Sequence, residues 1–317
     1  MTRLELLTIG RISVDLYAEQ LGVSLANVRT FAKSVGGSPT NVAVAAARLG
    51  HRAAVVTAVG DDDFGDYVRG ALEGFGVETT FVGTHPRYRT PLAIASMDPP
   101  DDPKLLFYRE PAAPDEEIEL EESHLAAARE AEIFWVSGSC LSGRATGPTA
   151  RAMLEARGRK PHTVLDLDYR PTFWPSEDAA TREIGGTIGA VTVAVGNRRE
   201  CEVAVGTGEP DAAADALLER GVELAVVKLG GEGVLVATRE ERTRVEPTPV
   251  EVVCGLGAGD AFGGALCHGL LTGAGPVEAV RFANAAGAIV ASRLLCADAM
   301  PTAVEVRGLL EAARVGV

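Results

Sequence analysis

The alternation of short apolar runs with longer helical patterns is the feature that most limits how this chain can fold. The runs typical of buried strands cover residues 4–10, 53–60, 132–138, 162–168, 191–197 and 224–230. The helical patterns cover residues 39–49, 63–75, 145–157, 198–205, 211–220 and 258–313. This order predicts βαβ units, and therefore an α/β fold with a doubly wound, mostly parallel sheet and helices on both faces. Ligands of such sheets lie beyond the carboxyl ends of the strands.

Two stretches interrupt the alternation, at about 11–35 and 88–110. Both contain short strand-like segments without a strong helix, so we expect a small antiparallel β lid that projects from the main sheet. A pair of edge hairpins is the alternative, because short strands are easily misassigned. The acidic run at 115–122 is expected to be a solvated surface. The whole chain of 317 residues is interpreted as a single catalytic domain with this lid.

The charge and cysteine content exclude several classes of protein. A formal net charge of −14 does not suit a protein that binds nucleic acid or an anionic membrane. The five cysteines form no C-x-x-C pair, which is typical of reduced thiols in a cytoplasmic protein. We find no signal-peptide pattern at the start, and no run approaches the roughly 18 apolar residues of a membrane span.

The sequence GLGAGDAFGGAL at 255–266 predicts an anion site at the start of a helix. The backbone N–H groups of Gly257, Ala258 and Gly259 can face a ligand there, with the positive end of the helix dipole behind them. Asp260 follows directly, as a carboxylate that can accept a proton from a substrate hydroxyl. The alternative is that Asp260 only complements the helix dipole.

Phosphoryl transfer explains this pattern better than other phosphate chemistry does. The sequence has no Walker A loop, and the first strand-like run leads to GRISVD instead of a dinucleotide-binding G-x-G-x-x-G. Transfer of a phosphoryl group requires positioning and the stabilisation of charge, which backbone N–H groups and a helix dipole supply.

GGSPTN at 36–41 and GAGDAF at 257–262 resemble the paired signatures of the ribokinase, or PfkB, family of carbohydrate kinases. The resemblance extends over essentially the whole chain. It implies a ribokinase-like fold with a β-sheet lid, and transfer of a phosphoryl group from ATP, with Mg²⁺, to a hydroxyl of a sugar or nucleoside.

The resemblance also implies roles for individual residues. Asp260 is implied as the catalytic base, with Gly257, Ala258 and Gly259 as its anion hole. The residues implied to contact the sugar are Asp15, Gly36, Gly37 and Asn41. The residues implied near the nucleotide are Asn197, Glu200, Lys228, Gly230, Gly233 and Asn284.

Two of these assignments have structural alternatives. Asn197 and Glu200 are implied to order Mg²⁺ and phosphate through water, but an Asn that caps a helix with an early Glu would look the same. Asn284 is implied near the adenine, but it could equally be hydrogen-bonded in the core.

One segment departs from the family pattern. The common form has Asp-Thr-Thr before GAGD, and this chain has Cys254, Gly255 and Leu256. The anion hole and the base are kept, whereas the polar side chains associated with a typical monovalent-cation site are lost.

Two arginines narrow the substrate class. Arg109 in LLFYRE and Arg170 in DLDYRPTFW are placed to face a sugar, and guanidinium groups bind carboxylates in a bidentate manner. Internal pairing of Arg170 with Asp166 or Asp168, and an exposed lid position for Arg109, are the alternatives.

These stretches are similar to the family members that phosphorylate the terminal hydroxyl of a keto-deoxy sugar acid. 5-Dehydro-2-deoxygluconate is the first choice and 2-keto-3-deoxygluconate the second, followed by neutral sugars such as fructose or ribose. A sugar-acid sensor without turnover is the non-enzymatic alternative. The resemblance favours a homodimer through the lid, as in many relatives, and a monomer is the alternative.

Overall fold

The structure is a computed structural model that describes residues 3–99 and 103–315. Its strands are β1 (Leu6–Ile9), β2 (Ser13–Ala18), β3 (Phe31–Gly36), β4 (Ala53–Gly60), β5 (Val82–His85), β6 (Leu92–Ser96), β7 (Lys104–Tyr108), β8 (Ile133–Ser137), β9 (Thr163–Asp166), β10 (Val193–Asn197), β11 (Leu224–Lys228), β12 (Val234–Ala237) and β13 (Arg242–Val245). Its α-helices are α1 (Ser38–Arg48), α2 (Asp63–Gly74), α3 (Glu122–Glu130), α4 (Thr146–Arg157), α5 (Glu177–Thr187), α6 (Arg198–Val205), α7 (Pro210–Glu219), α8 (Ala258–Leu271), α9 (Pro276–Ala291) and α10 (Ala303–Val315).

The large sheet confirms the predicted α/β fold. Within the described residues it has nine strands in the order β13-β12-β11-β10-β9-β8-β1-β4-β5. The pairs from β10–β11 across to β4–β5 are parallel, and β12 and β13 add antiparallel pairs at one edge. The chain proceeds to one side of β1 through β4 and β5, and to the other side through β8 and β9. The crevice at this switch point, beyond the carboxyl ends of β1 and β8, is where such sheets bind ligands.

Close packing of α1 against α8 brings the two sequence signatures together. Gly264 lies at this contact, and a Cβ added there would be 2.4 Å from the Cβ of Ala45. The two helices therefore approach through small residues. Ser38 is the first residue of α1 and Gly37 is its N-cap.

The second sheet lies within the two stretches that interrupt the alternation. Among the described residues it has four strands in the order β3-β2-β6-β7, and the β2–β6 pair is parallel while the other pairs are antiparallel. Side chains on one face of β2, including Asp15 and Tyr17, point toward the crevice of the large sheet, because both line the cavity there. This arrangement supports our interpretation of the small sheet as a lid.

No helix in the ranges 3–99 and 103–315 is both long enough and apolar enough to cross a membrane.

Candidate active site

A narrow cavity of about 70 Å³ lies between the small sheet and the carboxyl ends of the large sheet. The lid contributes Ser13, Asp15, Tyr17, Ala93, Leu105 and Phe107 to its lining. The main domain contributes Arg11, Gly37, Ser38, Asn41, Arg170, Leu256, Gly257, Asp260 and Cys296. Larger surface cavities occur at the opposite edge of the sheet, next to residues such as Arg159 and Gly221 that precede strands. Those cavities lie away from both sequence signatures.

Asp260 lies in the first turn of α8 and lines this cavity. Its Oδ2 accepts a hydrogen bond of 2.8 Å from the Asn41 side chain. Burial raises the pKa of Asp260, and hydrogen bonds from Asn41 and Ser38 partly oppose that rise. A buried carboxylate with few charge partners is a stronger proton acceptor than one in water. The geometry therefore suits Asp260 to accept a proton from a hydroxyl group.

Gly257 shapes the start of α8. It is the N-cap residue and has a φ of 78°, in the left-handed region that favours glycine. A Cβ at this position would also lie 2.6 Å from the Sγ of Cys296. The backbone can therefore turn into α8 with the first N–H groups of the helix, including those of Ala258 and Gly259, left for an anion.

Asp15 projects from β2 into the middle of the cavity. Its carboxylate accepts hydrogen bonds from Ser13 Oγ at 2.6 Å and from the Tyr17 hydroxyl at 3.3 Å. Burial raises the pKa of Asp15 to about 6. Gly36 on the neighbouring strand passes directly over this carboxylate, since an added Cβ would lie 2.0 Å from Asp15 Oδ1. Any larger residue at position 36 would displace Asp15.

Asn41 has an atom available for a ligand. Among the residues that the structure describes, its buried Oδ1 has no hydrogen-bond partner, while its Nδ2 is bonded to Asp260. A buried acceptor without a partner carries a desolvation cost that a substrate hydroxyl would remove.

Two guanidinium groups reach the cavity and share one carboxylate. Arg11 follows β1, and one of its Nη atoms lies 3.2 Å from Asp168 Oδ2. Arg170 lies 3.2 Å from Asp168 Oδ1 and 3.5 Å from Glu200 Oε1. Burial would raise the pKa of Asp168, but the charges of Arg170 and Arg11 lower it below its ordinary value. The pairing of Arg170 with Asp168 was one of the two sequence interpretations, and it coexists with a position in the cavity lining.

Arg109 does not line the cavity. Its guanidinium is paired with the carboxylates of Asp115 and Glu116, and its side chain is 9% exposed. Asp115 is itself buried and also accepts a hydrogen bond from the Ile12 N–H at 2.7 Å. The expectation of a solvated surface at 115–122 was therefore wrong at Asp115. Arg109 lines a neighbouring cavity of about 430 Å³ that shares Leu105 and Phe107 with the narrow one, so its contact with the substrate stays a prediction. Arg11 lines the narrow cavity.

The residues expected near the nucleotide phosphates form a charged group at the ends of β10 and β11. Asn197 and Glu200 make a reciprocal capping box at the start of α6, with N–H to side-chain distances of 2.7 and 2.9 Å. Lys228 Nζ lies 3.9 Å from Glu200 Oε2. Burial would lower the pKa of Lys228, but the surrounding carboxylates raise it. Lys228 Nζ also lies next to the predicted anion hole, 3.6 Å from where a Cβ of Gly259 would stand.

These carboxylates suit a divalent cation that is held through water. Asp166 lies nearby, and burial and the charges of Asp168 and Glu200 raise its pKa, against the opposing effect of Lys228. Within residues 3–99 and 103–315, no group of three acidic, histidine or cysteine side chains is close enough to hold a metal directly. Carboxylates around a water-bound Mg²⁺ are a common arrangement at phosphate sites.

The remaining residues that were expected near the nucleotide lie in a tight turn or join two segments of the chain. Gly233 has a φ of 92°, and a Cβ there would lie 2.1 Å from the Val245 carbonyl oxygen, so the turn between β11 and β12 requires glycine for packing. Gly230 has a φ of 60° in the same turn. Asn284 donates to the Glu246 carbonyl oxygen at 2.8 Å and thereby joins α9 to the segment after β13.

The segment before the anion hole presents sulfur and apolar groups. Cys254 is buried in a cluster with Cys296 and Tyr17, and Leu256 packs against that cluster. Monovalent and other hard cations prefer oxygen ligands. These side chains do not fit a cation site that depends on side-chain oxygen at positions 254–256.

Comparison with known proteins identifies the family. The pattern of the "pfkB family carbohydrate kinase" matches residues 3–303. The chain belongs to the pfkB family of carbohydrate kinases. Membership makes it an ATP-dependent phosphotransferase that has an alcohol group as acceptor.

Individual relatives of this kinase agree with that assignment. It is 34% identical to a 5-dehydro-2-deoxygluconokinase of Photobacterium profundum, over 94% of this chain and 92% of that protein. It is 30% identical to a protein of the same name from Bacillus subtilis, over 97% and 96% of the two chains. The fold is similar to a fructokinase with bound ATP from Xylella fastidiosa, with a TM-score of 0.83, 24% identity and coverage of 98% and 99%.

Among the charged residues of this kinase's cavity region, sequence reasoning missed Arg11 and Asp168. Arg11 stands in the GRISVD segment, from which only Asp15 was predicted as a site residue, and Asp168 was considered only as a partner of Arg170. Both follow strands of the large sheet at its carboxyl edge, and this position is the signal that could have indicated them.

Proposed function

We propose that this kinase phosphorylates the terminal hydroxyl of a keto-deoxy sugar acid, with 5-dehydro-2-deoxygluconate as its substrate. One observation carries the proposal: the cavity that contains the buried carboxylate of Asp260 also contains the guanidinium groups of Arg11 and Arg170. A carboxylate on the substrate would match these guanidinium groups. The name shared by relatives at 30–34% identity points to the same acid.

Different residues of the cavity are proposed to contact different parts of the sugar. Asp15 and the Oδ1 of Asn41 can accept hydrogen bonds from substrate hydroxyls, and Gly36 and Gly37 let the sugar lie against the backbone. These contacts hold the terminal hydroxyl near Asp260. Positioning of this kind supplies a large part of the rate of phosphoryl transfer.

The chemical step then uses Asp260 as the proton acceptor. The hydroxyl gives its proton to the Asp260 carboxylate, and its oxygen forms a bond to the γ-phosphorus of ATP. The bond from that phosphorus to the β–γ bridging oxygen breaks, and ADP leaves with the electron pair. The N–H groups of Gly257, Ala258 and Gly259 stabilise the charge on the moving group.

Lys228, Glu200 and Asn197 belong to the phosphate side of the site. When bound, Mg²⁺ would neutralise phosphate charge, and Glu200 with Asn197 would hold it through water. Lys228 adds a fixed positive charge beside Gly259. Gly230, Gly233 and Asn284 are proposed to line the nucleotide site through the segments that they hold in place.

The test is ADP release from MgATP by the purified protein. The acceptors are 5-dehydro-2-deoxygluconate, 2-keto-3-deoxygluconate, fructose and ribose at matched concentrations. We expect kcat/KM to be ~10²-fold or more higher for 5-dehydro-2-deoxygluconate, since a site with buried polar groups penalises a ligand that leaves them unpaired.

Each other result changes a different part of the proposal. A preference for 2-keto-3-deoxygluconate would keep a keto-deoxy sugar acid as the substrate class and change the position of its keto group. Turnover of neutral sugars alone would remove the carboxylate contact. Binding of an acid without any ADP release would indicate a sensor.

We also propose that the kinase works in the cytoplasm as a homodimer that associates through the outer face of the lid. Phe31, Leu106 and Tyr108 are 38%, 46% and 60% exposed on that face. Apolar residues grouped on one face of a sheet are a common feature of association surfaces.

A further inference from the structure

Arg11 is the most tightly held cation in the cavity. Its Nε donates to Ser139 Oγ at 2.9 Å, and one Nη donates to Asp168 Oδ2 at 3.2 Å. The ring of Phe173 lies against the guanidinium, with 4.7 Å between its centroid and Cζ. The side chain is 11% exposed. These contacts fix the guanidinium plane. Arginine has five N–H donors, and the hydrogen bonds of Arg11 to the described residues use two of them.

We propose that Arg11 selects the carboxylate of the substrate, and that Asp168 is the positioning residue that sets the spacing of Arg11 and Arg170. This inference rests on the proposed function and names the residue that decides its substrate class. The sequence pattern had assigned this role to Arg109 together with Arg170.

The other two arginines are less suited to this role. Arg109 is paired with two carboxylates outside the cavity lining. Arg170 is 41% exposed and also faces Glu200, on the side of the site assigned to phosphate. Arg11 has Asp168 as its carboxylate partner among the described residues and lies in the lining with Asp15.

The charge balance around Asp168 favours an anion. Asp168 is shared by the two guanidinium groups, and Arg170 also faces Glu200 at 3.5 Å, whereas Arg11 has only this shared carboxylate as an ion-pair partner among the described residues. A neutral sugar would leave Arg11 with the shared carboxylate of Asp168 alone, whereas a substrate carboxylate would pair with Arg11 directly and accept hydrogen bonds from its remaining N–H donors.

The backbone at Asp168 is unusual in a way that agrees with a positioning role. It has a φ of 22°, which residues other than glycine seldom adopt. Its side chain is 2% exposed and also accepts a hydrogen bond from Ser139 Oγ. Strained conformations of this kind persist where surrounding contacts enforce them, commonly at functional sites.

The experiment measures kcat/KM of Arg11→Gln for two acceptors with the same carbon skeleton. One is 5-dehydro-2-deoxygluconate, and the other is its neutral alcohol, in which a hydroxymethyl group replaces the carboxylate. We expect a loss of ~10²-fold or more for the acid, mainly in KM, and a loss below ~3-fold for the alcohol, because the contact acts on the carboxylate alone.

Three further variants separate selection from structural support. Arg11→Lys keeps the charge and should recover part of the preference for the acid. Asp168→Asn should raise KM for the acid without changing the KM for ATP. Arg109→Gln is the matched control, and it should leave the ratio of the two kcat/KM values unchanged. The thermal shift caused by ATP checks that each variant is folded.

The outcomes are distinguishable from failure of the proposed function. Equal losses for the acid and the alcohol in both Arg11 variants would overturn this inference while the wild type still prefers the acid. A change of the ratio in Arg109→Gln instead of Arg11→Gln would return the role to Arg109. A wild-type protein that turns over neutral sugars alone would overturn the proposed function and this inference with it.

Discussion

At the scale of single residues, the site depends on side chains that are far apart in sequence. Asn41 and Asp260 are separated by 219 positions, and their side chains lie 2.8 Å apart. Asn41 lies in the first turns of α1 and Asp260 in the first turn of α8. The close contact of these helices at Gly264 therefore fixes the pair. The hydrogen bond holds Oδ2 of Asp260 and thereby orients its carboxylate.

The first prediction concerns Asp260→Asn. The variant keeps the shape of the side chain but removes the proton acceptor, so kcat should fall by at least ~10²-fold. The dissociation constant of ATP should stay within ~3-fold of the wild-type value, because the anion hole is made of backbone N–H groups. Steady-state kinetics and a binding titration with ATP measure the two quantities. An unchanged kcat would remove Asp260 from the role of base.

The residues of the site differ in how far sequence alone could predict them. GAGD and GGSPTN predicted the backbone around Asp260, because glycine requirements and helix starts are local properties. The arginines were harder, since their roles depend on which acids they meet. Arg109 meets Asp115, which stands in a run that looks solvated, and Arg11 meets Asp168, which follows a different strand. Such pairings are fixed by tertiary contacts and leave no local pattern.

At the scale of secondary structure, α8 links the catalytic edge of the sheet to its opposite edge. Asp260 lies in its first turn, and His268 lies eight positions later, about two turns along. There the His268 ring approaches His51, with 2.8 Å between Nδ1 and Nε2, and stacks on Phe282. His51 in turn contacts Glu5 at 3.0 Å. The network joins α8 to the segments that immediately precede β1 and β4.

This network predicts a pH dependence of stability. Burial lowers the pKa of His268 below 6.5, and the charges of His51 and Arg307 add to that effect. Below about pH 6.5 the unfolded chain takes up a proton that the folded form resists, so the contribution of His268 is complete above that pH and is lost as the pH falls. Denaturant unfolding at pH 7.5 and 5.5 measures it.

His268→Gln isolates this contribution from those of other groups. The raised pKa values of buried carboxyls such as Asp15 act in the opposite direction, since they stabilise the folded form as the pH falls. We therefore expect the wild type to lose more unfolding free energy than His268→Gln between the two pH values. Equal losses in the two proteins would show that His268 does not titrate differently on folding.

The length and polarity of an element decided whether sequence could predict it. The strand β4 is eight residues long and fully buried, and its apolar run was clear. By contrast, β5 has four residues with one buried, and exposed residues interrupt β13, so neither shows a strong period. The helix α3 begins at the end of an acidic run and was not predicted for that reason.

At the scale of the whole molecule, the lid and the large sheet enclose a cavity that is too small for the proposed substrate. Its volume of about 70 Å³ is far below the roughly 300 Å³ of ordinary ligand pockets. Leu105 and Phe107 on β7 close it from the lid side. We therefore expect the lid to move outward when the acceptor enters and to exclude water when it closes, as water would otherwise compete for the phosphoryl group.

The outer face of the same lid leads to the last prediction. Leu106 and Tyr108 alternate along β7 with the cavity residues Leu105 and Phe107, so in our proposal one face of this strand meets the substrate and the other belongs to the association surface. Leu106→Lys places a charge in that surface and should convert a dimer into a monomer of 33.0 kDa, because burial of one leucine is worth about 1.5–3 kcal/mol. Light scattering during size-exclusion chromatography measures the mass.

Val304→Lys, at a 76% exposed position on α10, is the matched control and should leave the dimer intact. A wild-type protein that is monomeric at all concentrations would contradict association through the lid.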